Sequence, residues 1–121
     1  MHTYDQTPSE HVLQYDEFLK TDIRVGTIVQ ALEFPEARKP AYKLEIDFGP
    51  VIGKKWSSSR ITDHYKPADL IGKQVLAVIN FPARQVGPMM SQVLTLGFEQ
   101  EDGTVIIPTV THKLENGLRL Y

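Results

Sequence analysis

Past residue 22 this chain offers no segment that reads as a long crossover helix, which removes most ways its apolar stretches could pack. Parallel strands need a crossover of a dozen or more residues, usually helical, whereas antiparallel neighbours need only a turn. The later apolar segments are therefore expected to pair antiparallel. Residues 23–32 (IRVGTIVQAL) are rich in β-branched side chains and read as one long strand, with Gly26 as a bend or bulge of the kind a closing barrel uses. Residues 33–41 form a loop, because Pro35 and Pro40 exclude regular pairing.

Residues 43–48 alternate cleanly: Leu44, Ile46 and Phe48 point to a core, and Lys43, Glu45 and Asp47 away from it. A third strand, polar for its length, covers 54–61. Residues 66–72 resemble a turn or two of helix, with Pro67 early and Gly72 as the stop. Residues 75–79 are almost continuously apolar, so both faces should be covered. A Pro/Gly-bearing loop spans 81–90, and 93–98 pairs with 104–110 across an Asp102-Gly103 turn. Near the N-terminus, 9–20 reads as a short amphipathic helix capped by Ser9, with Val12, Tyr15, Phe18 and Leu19 near one face.

A helix between the third and fourth strands, within an all-β-dominated chain, is the order of an OB-fold: a five-stranded Greek-key barrel, here with short helical additions. At 121 residues there is one core. The expected division is an N-terminal helical extension at 1–22 and the barrel at 23–121. Val25, Leu44, Ile46, Val75, Ala77, Ile79, Leu94 and Leu96 are expected to point inward.

Composition narrows the function. No apolar run approaches the roughly 20 residues of a membrane helix, so no membrane insertion is expected. MHTYDQTPSEH lacks the basic start and apolar stretch of a signal peptide, and the chain has no cysteine. Both fit a reducing cytoplasm. The net charge is −2, but residues 1–22 carry −4, 23–91 carry +4 and 92–121 carry −2. The middle is mildly basic and the ends acidic.

Catalytic signatures are missing: no G-x-S-x-G, H-E-x-x-H, P-loop or G-x-G-x-x-G. Ser57, Ser58 and Ser59 alternate across a strand with no general base nearby in sequence, and read as ordinary strand serines. His2, His11, His64 and His112 have no metal-ligand spacing, and His64 beside Asp63 and Tyr65 reads as a surface polar group. Glu45 and Asp47 share a face, but two carboxylates alone hold a cation weakly. No catalytic residue, metal or cofactor is expected.

Binding residues are easier to place. Lys54, Trp56, Ser58 and Arg60 share one face of the third strand. Two readings of Trp56 stand open: a stacking platform for nucleobases between cations, or a ring tucked against a loop or a second subunit. An OB-fold holds its ligand on strands 2 and 3, between the loops joining strands 1–2 and 4–5. The first loop offers Phe34, Arg38, Lys39 and Tyr42; the second offers Phe81, Arg84, Met89 and Met90, with Ser91 close by. Aromatics among bases suit nucleic acid; Met89 and Met90 beside Phe81 equally suit an adaptable peptide groove. Chemistry alone leaves both open.

Several separated motifs resemble one family. Phe18-Leu-Lys-Thr-Asp-Ile-Arg-Val-Gly26 with Thr27-Ile28-Val29 is similar to the opening of the tRNA-binding domain, which also occurs at the C-terminus of some methionyl-tRNA synthetases. Tyr65-Lys-Pro-x-x-Leu-Ile-Gly-Lys73, Met90-Ser-Gln-Val-Leu-Thr-Leu-Gly97 and Asn116-Gly117 continue the pattern. Glu33-Phe-Pro-Glu-Ala-Arg38, Ile46-Asp-Phe-Gly49 and Asn80-Phe-Pro82 resemble, within that class, the CsaA family of export-related chaperones. The resemblance covers roughly residues 16–121 and implies an OB-fold, a homodimer and two activities: tRNA binding by shape, and holding unfolded or pre-secretory polypeptides. It places Arg38, Lys39, Arg84 and Ser91 where such domains contact RNA. Tyr42, Lys54, Trp56 and Arg60 extend that set, and Phe34, Phe81, Met89 and Met90 are the inferred peptide contacts. A dedicated tRNA module would usually be more basic than −2, so the expectation is a dimeric, non-enzymatic polypeptide chaperone, with tRNA as the alternative ligand on the same face.

Overall fold

A computed structural model describes residues 5–121; His2 and the first four residues of the expected N-terminal extension lie outside them. The elements run α1 (Tyr15–Leu19), β1 (Ile23–Glu33), β2 (Tyr42–Asp47), α2 (Gly49–Ile52), β3 (Lys54–Ser59), α3 (Pro67–Leu70), β4 (Gln74–Val78), β5 (Arg84–Val86), β6 (Met89–Ser91), β7 (Leu94–Thr95), β8 (Phe98–Glu99) and β9 (Val105–Ile106). Five of them form an antiparallel sheet in the order β3-β2-β1-β4-β7, with α3 between the third and fourth strands. The sheet curls until its edges, β3 and β7, pack together, which gives the nearly closed barrel of an OB-fold.

The core follows the period-2 alternation. Leu44, Ile46 and Phe48 are buried, and meet Ile28, Ala31, Val75 and Ala77 from β1 and β4 with Leu70 from α3. Edges β3 and β7 share no backbone ladder among the described residues; hydroxyls join them. Thr95 donates to the buried Ser57 hydroxyl (2.8 Å), which lies 3.4 Å from that of Ser59. Ser57 and Ser59 are thus more than strand filler, since both belong to the barrel seam.

Several expectations change. The pairing of 93–98 with 104–110 shrinks to Phe98 with Ile106 and Glu99 with Val105, because Leu94 and Thr95 pair with β4 instead. Gly26 is not the bulge; the register shift falls between Ile28 and Gln30. A Cβ at Gly26 would stand 2.6 Å from Ile46 Cγ2 and 2.8 Å from Phe48 Cδ1, so glycine is needed for close approach inside the barrel. The N-terminal helix is shorter than 9–20. Ser9 Oγ accepts from His11 N–H in a local turn, and the helix begins only where Glu17 accepts from Gln14 N–H (3.0 Å). Val12, expected on its apolar face, is 79% exposed.

Residues 81–90 are not all loop: β5 and β6 pair as a hairpin, pairing Arg84 with Ser91 and Val86 with Met89. Gly87, at φ +55°, opens its two-residue turn. In the next segment the register slips by one: Leu94 is 47% exposed and Val93 is buried, so Val93 takes the inward role expected of Leu94. Leu96 is only half-buried, while its N–H bonds Leu76 C=O (2.9 Å).

Val25 is buried, yet on the opposite face from Gly26 and Ile28. It lies beside the C-terminal segment, which bonds β1 through Val25 N–H to Leu118 C=O (3.1 Å) and Leu120 N–H to Ile23 C=O (2.9 Å). Within 75–79, Val75, Ala77 and Val78 are buried in the single chain, so that segment leaves little apolar surface for a partner.

Replacing Gly26 by Ala should overpack the barrel. The expected cost is about 1–3 kcal/mol, read as a lower urea midpoint with unchanged m-value; an unaltered midpoint would show that the Ile46–Phe48 contact yields freely.

Candidate functional site

The outer face of the barrel is set by strand register. Lys43 stands opposite Ser58, Glu45 opposite Trp56 and Asp47 opposite Lys54, all on the side away from Leu44 and Ile46. The last residue of the β5–β6 hairpin and the one after it dock on the free edge of β3. Ser91 Oγ accepts from Ser58 N–H (3.0 Å), Gln92 Oε1 from Trp56 N–H (2.9 Å), and Gln92 N–H donates to Trp56 C=O (2.8 Å). Side chains thus take strand bonds that would otherwise be exposed. They also fix Arg84, paired with Ser91, near the C-terminal end of β3.

Between loop 36–41, that end of β3, the hairpin and β7–β8 lies a groove of about 890 Å³. Four cations from separated segments line it: Arg38, Lys39, Arg60 and Arg84. Glu36 and Glu99 line it too, so the charge within it is about +2. Arg60 Nη2 is 3.9 Å from Glu99 Oε2 in a half-exposed pair, a contact worth at most about 1 kcal/mol. Arg38, Lys39 and Arg84 have no carboxylate within 4.0 Å among the described residues. Cations gathered in a cleft with low-dielectric walls concentrate positive potential there.

A second cleft, about 630 Å³, adjoins the first and is lined by Phe81, Pro82, Ala83, Val93 and Leu94, with Ser58, Arg84 and Gln92. The expected contact residues divide unevenly between these clefts and the fold's interior. Phe34 is buried at 3% exposure, with Lys43 Nζ 5.4 Å over its ring and the hairpin tip beside it; a Cβ on Gly87 would lie 3.6 Å from Phe34 Cζ. Tyr42 is buried and donates its hydroxyl to Tyr65 C=O (2.7 Å). Burial, then the Glu33 and Asp63 carboxylates, push that phenol above its ordinary range, so it stays a donor. Ser91 is buried and occupied by the β3 edge. These three side chains brace the loops that carry the exposed groups.

Lys54 is exposed and Trp56 half-buried on the outer face of β3, and neither lines the cationic groove. Trp56 faces Glu45 across the strands, with Lys54 on the same face of β3. Met89 and Met90 lie on β6 outside both clefts, and Phe81 alone of the four apolar residues lines one. The structure therefore gathers most of the cationic set and disperses the apolar one. Leu94, Gln92 and Glu99 went unseen in the sequence: Leu94 through the register slip, the others because only the folded seam brings them near Ser58 and Arg60.

The remaining candidates are engaged locally. Glu45 accepts from Gln30 (2.8 Å) and Asp47 from Gly49 N–H (2.9 Å). His64 Nε2 lies 2.9 Å from the Thr104 hydroxyl, which donates to Asp102 (2.7 Å). The Thr104 hydroxyl, and then its N–H, hold Asp102 below the usual carboxylate range and fix the β8–β9 turn. No group of three or more His, Cys, Asp or Glu among the described residues is placed to hold a metal ion, and no helix there is long and apolar enough to cross a membrane.

An OB barrel presenting a cationic groove defines a binding module, and comparison with known proteins gives its family. Residues 23–119 match the family described as "Putative tRNA binding domain". The chain belongs to this tRNA-binding-domain family. The chaperone CsaA from Bacillus anthracis str. Ames superposes with a TM-score of 0.86 at 45% identity, covering 92% of this chain and 100% of that one. CsaA from Picrophilus torridus gives 0.83 at 44%, covering 91% and 100%. The methionine–tRNA ligase of Parabacteroides distasonis is 33% identical over 94% of this chain, which spans only 16% of that enzyme's length.

If Ser91 braces the β3 edge, Ser91→Ala should cost about 1–3 kcal/mol by leaving Ser58 N–H unpaired. Met90→Ser should stay within about 0.5 kcal/mol, as exposed substitutions do. Equilibrium denaturation of both variants checks the contrast; equal midpoints would count against the bracing role.

Proposed function

We propose that this chain is a non-catalytic, CsaA-type binding module that holds the phosphate backbone of tRNA in the groove between loop 36–41 and the β5–β6 hairpin. The observation that carries the reading is the convergence of Arg38, Lys39, Arg60 and Arg84 on one cleft. Each phosphate neutralised there releases condensed counterions, which supplies affinity without any base contact. The overall charge of −2 is a poor guide, because many of the acidic residues lie in the two terminal segments and the local field decides where a polyanion lands. The family match and the likeness to a tRNA ligase segment support the same ligand class.

A second reading, unfolded or pre-secretory polypeptide in cytoplasmic protein export, is favoured by the likeness to CsaA chaperones and by exposed Phe81 and Leu94, which line one cleft. The working unit in either case is a homodimer. Leu19, Leu118, Leu120 and Tyr121 are exposed, and Arg119 ties the two segments by donating to Leu19 C=O. A second copy covering them gains about 25 cal/mol per Å² of apolar surface.

Fluorescence anisotropy with tRNA across a salt series tests the main reading. Four phosphate contacts predict a log–log slope of about −3, and Arg84→Gln should flatten it by about 0.7–0.9. A slope near zero, or an unchanged slope in the Arg84 variant, would transfer the site to the polypeptide reading. Light scattering at micromolar protein should give twice the chain mass; a monomer would remove the dimer.

A further inference from the structure

The apolar cleft and the cationic groove share Ser58, Arg84, Gln85 and Leu94, so they form one continuous surface with two chemistries. We infer that the apolar cleft is a subsite for a single unpaired nucleobase of the RNA whose phosphates lie on the neighbouring cations. The inference rests on the tRNA reading and deepens it from backbone capture to recognition of an unstacked nucleotide.

Phe81 and Leu94 are 54% and 47% exposed, a large apolar face for so small a cleft, and both border it. A flat aromatic ring open to solvent beside a cationic groove is the arrangement that stacks a base while cations hold the strand. A base inside a duplex has both faces covered by its neighbours. Only a nucleotide splayed from a loop or a single-stranded end presents a free face.

The cleft also carries polar groups suited to a base edge. Gln92 spends its amide oxygen on Trp56 N–H, and its amide nitrogen has no partner among the described residues; the same holds for the Ser58 hydroxyl. Together they offer donors and an acceptor beside the apolar wall. Arg84 lines both clefts, so a phosphate on its guanidinium brings the adjoining nucleotide to Phe81. Arg84 in the cleft and the cations of the adjoining groove favour an occupant that carries its own phosphate, as a nucleotide does.

The test uses a short single-stranded RNA carrying 2-aminopurine, a fully duplex RNA of equal length, and a reduced, unfolded polypeptide. Wild type, Phe81→Ala and Phe81→Trp are compared. Phe81→Ala should weaken single-strand binding by about 5- to 150-fold, with the salt slope unchanged because no phosphate contact is lost. The 2-aminopurine emission should be quenched by wild type and by Phe81→Trp but not by Phe81→Ala, and duplex binding should not respond. Equal affinity and equal quenching in wild type and Phe81→Ala, with a steep salt slope retained, would overturn the subsite while leaving the groove standing. Loss of polypeptide binding alone in Phe81→Ala would hand the cleft to a peptide side chain. Absence of any salt-dependent RNA binding by wild type would overturn the subsite and the groove together.

Discussion

Along the free edge of β3, where a fully closed barrel would carry a ladder of backbone hydrogen bonds, this chain relies largely on side chains. Thr95 of β7 meets Ser57, Ser91 at the end of β6 meets Ser58 N–H, and Gln92 bonds Trp56 N–H through its side chain and Trp56 C=O through its backbone. Buried polar networks hold position when each member is satisfied, and no buried side-chain polar atom among the described residues lacks a partner. The seam seats the β5–β6 hairpin, and with it Arg84, next to Arg60. Phe34 beneath Gly87 ties the hairpin tip to the loop that carries Arg38 and Lys39. The groove's charge thus depends on a few hydroxyls and one amide that carry no charge themselves.

That dependence explains why the overall charge misleads. A chain of net −2 looks ill suited to a polyanion, and the sequence order of its cations places them on three separate segments. Folding brings four of them to one cleft. The pairing of Arg60 with Glu99 moderates the field there at little cost to the half-exposed arginine.

Much of the architecture was legible from residue pattern. The alternation of 43–48, the Pro67 start and Gly72 stop of the short helix, and the Asp102-Gly103 turn each reflect local physics that the fold leaves intact. Where the sequence misled, long-range contacts decided. Gly26 reads as a bulge, but its role is set by Ile46 and Phe48, some twenty residues away. Val93-Leu94 is ambiguous by one residue until the seam fixes the register. Ser9 has the chemistry of a helix cap yet closes a local turn instead. Among the binding residues, exposure was the hidden variable: Phe34, Tyr42 and Ser91 lie in the right loops and strands but turn inward, while Leu94 turns out.

The central claim is that one face, assembled by the seam, receives the ligand. Chemical-shift mapping of the isotopically labelled protein titrated with tRNA tests it most directly. The account predicts backbone shifts concentrated at 36–39, 58–61, 84–87 and 94–99, with β1 and the C-terminal segment at 117–120 quiet. Perturbations centred on the C-terminal segment, with the groove unmoved, would contradict it.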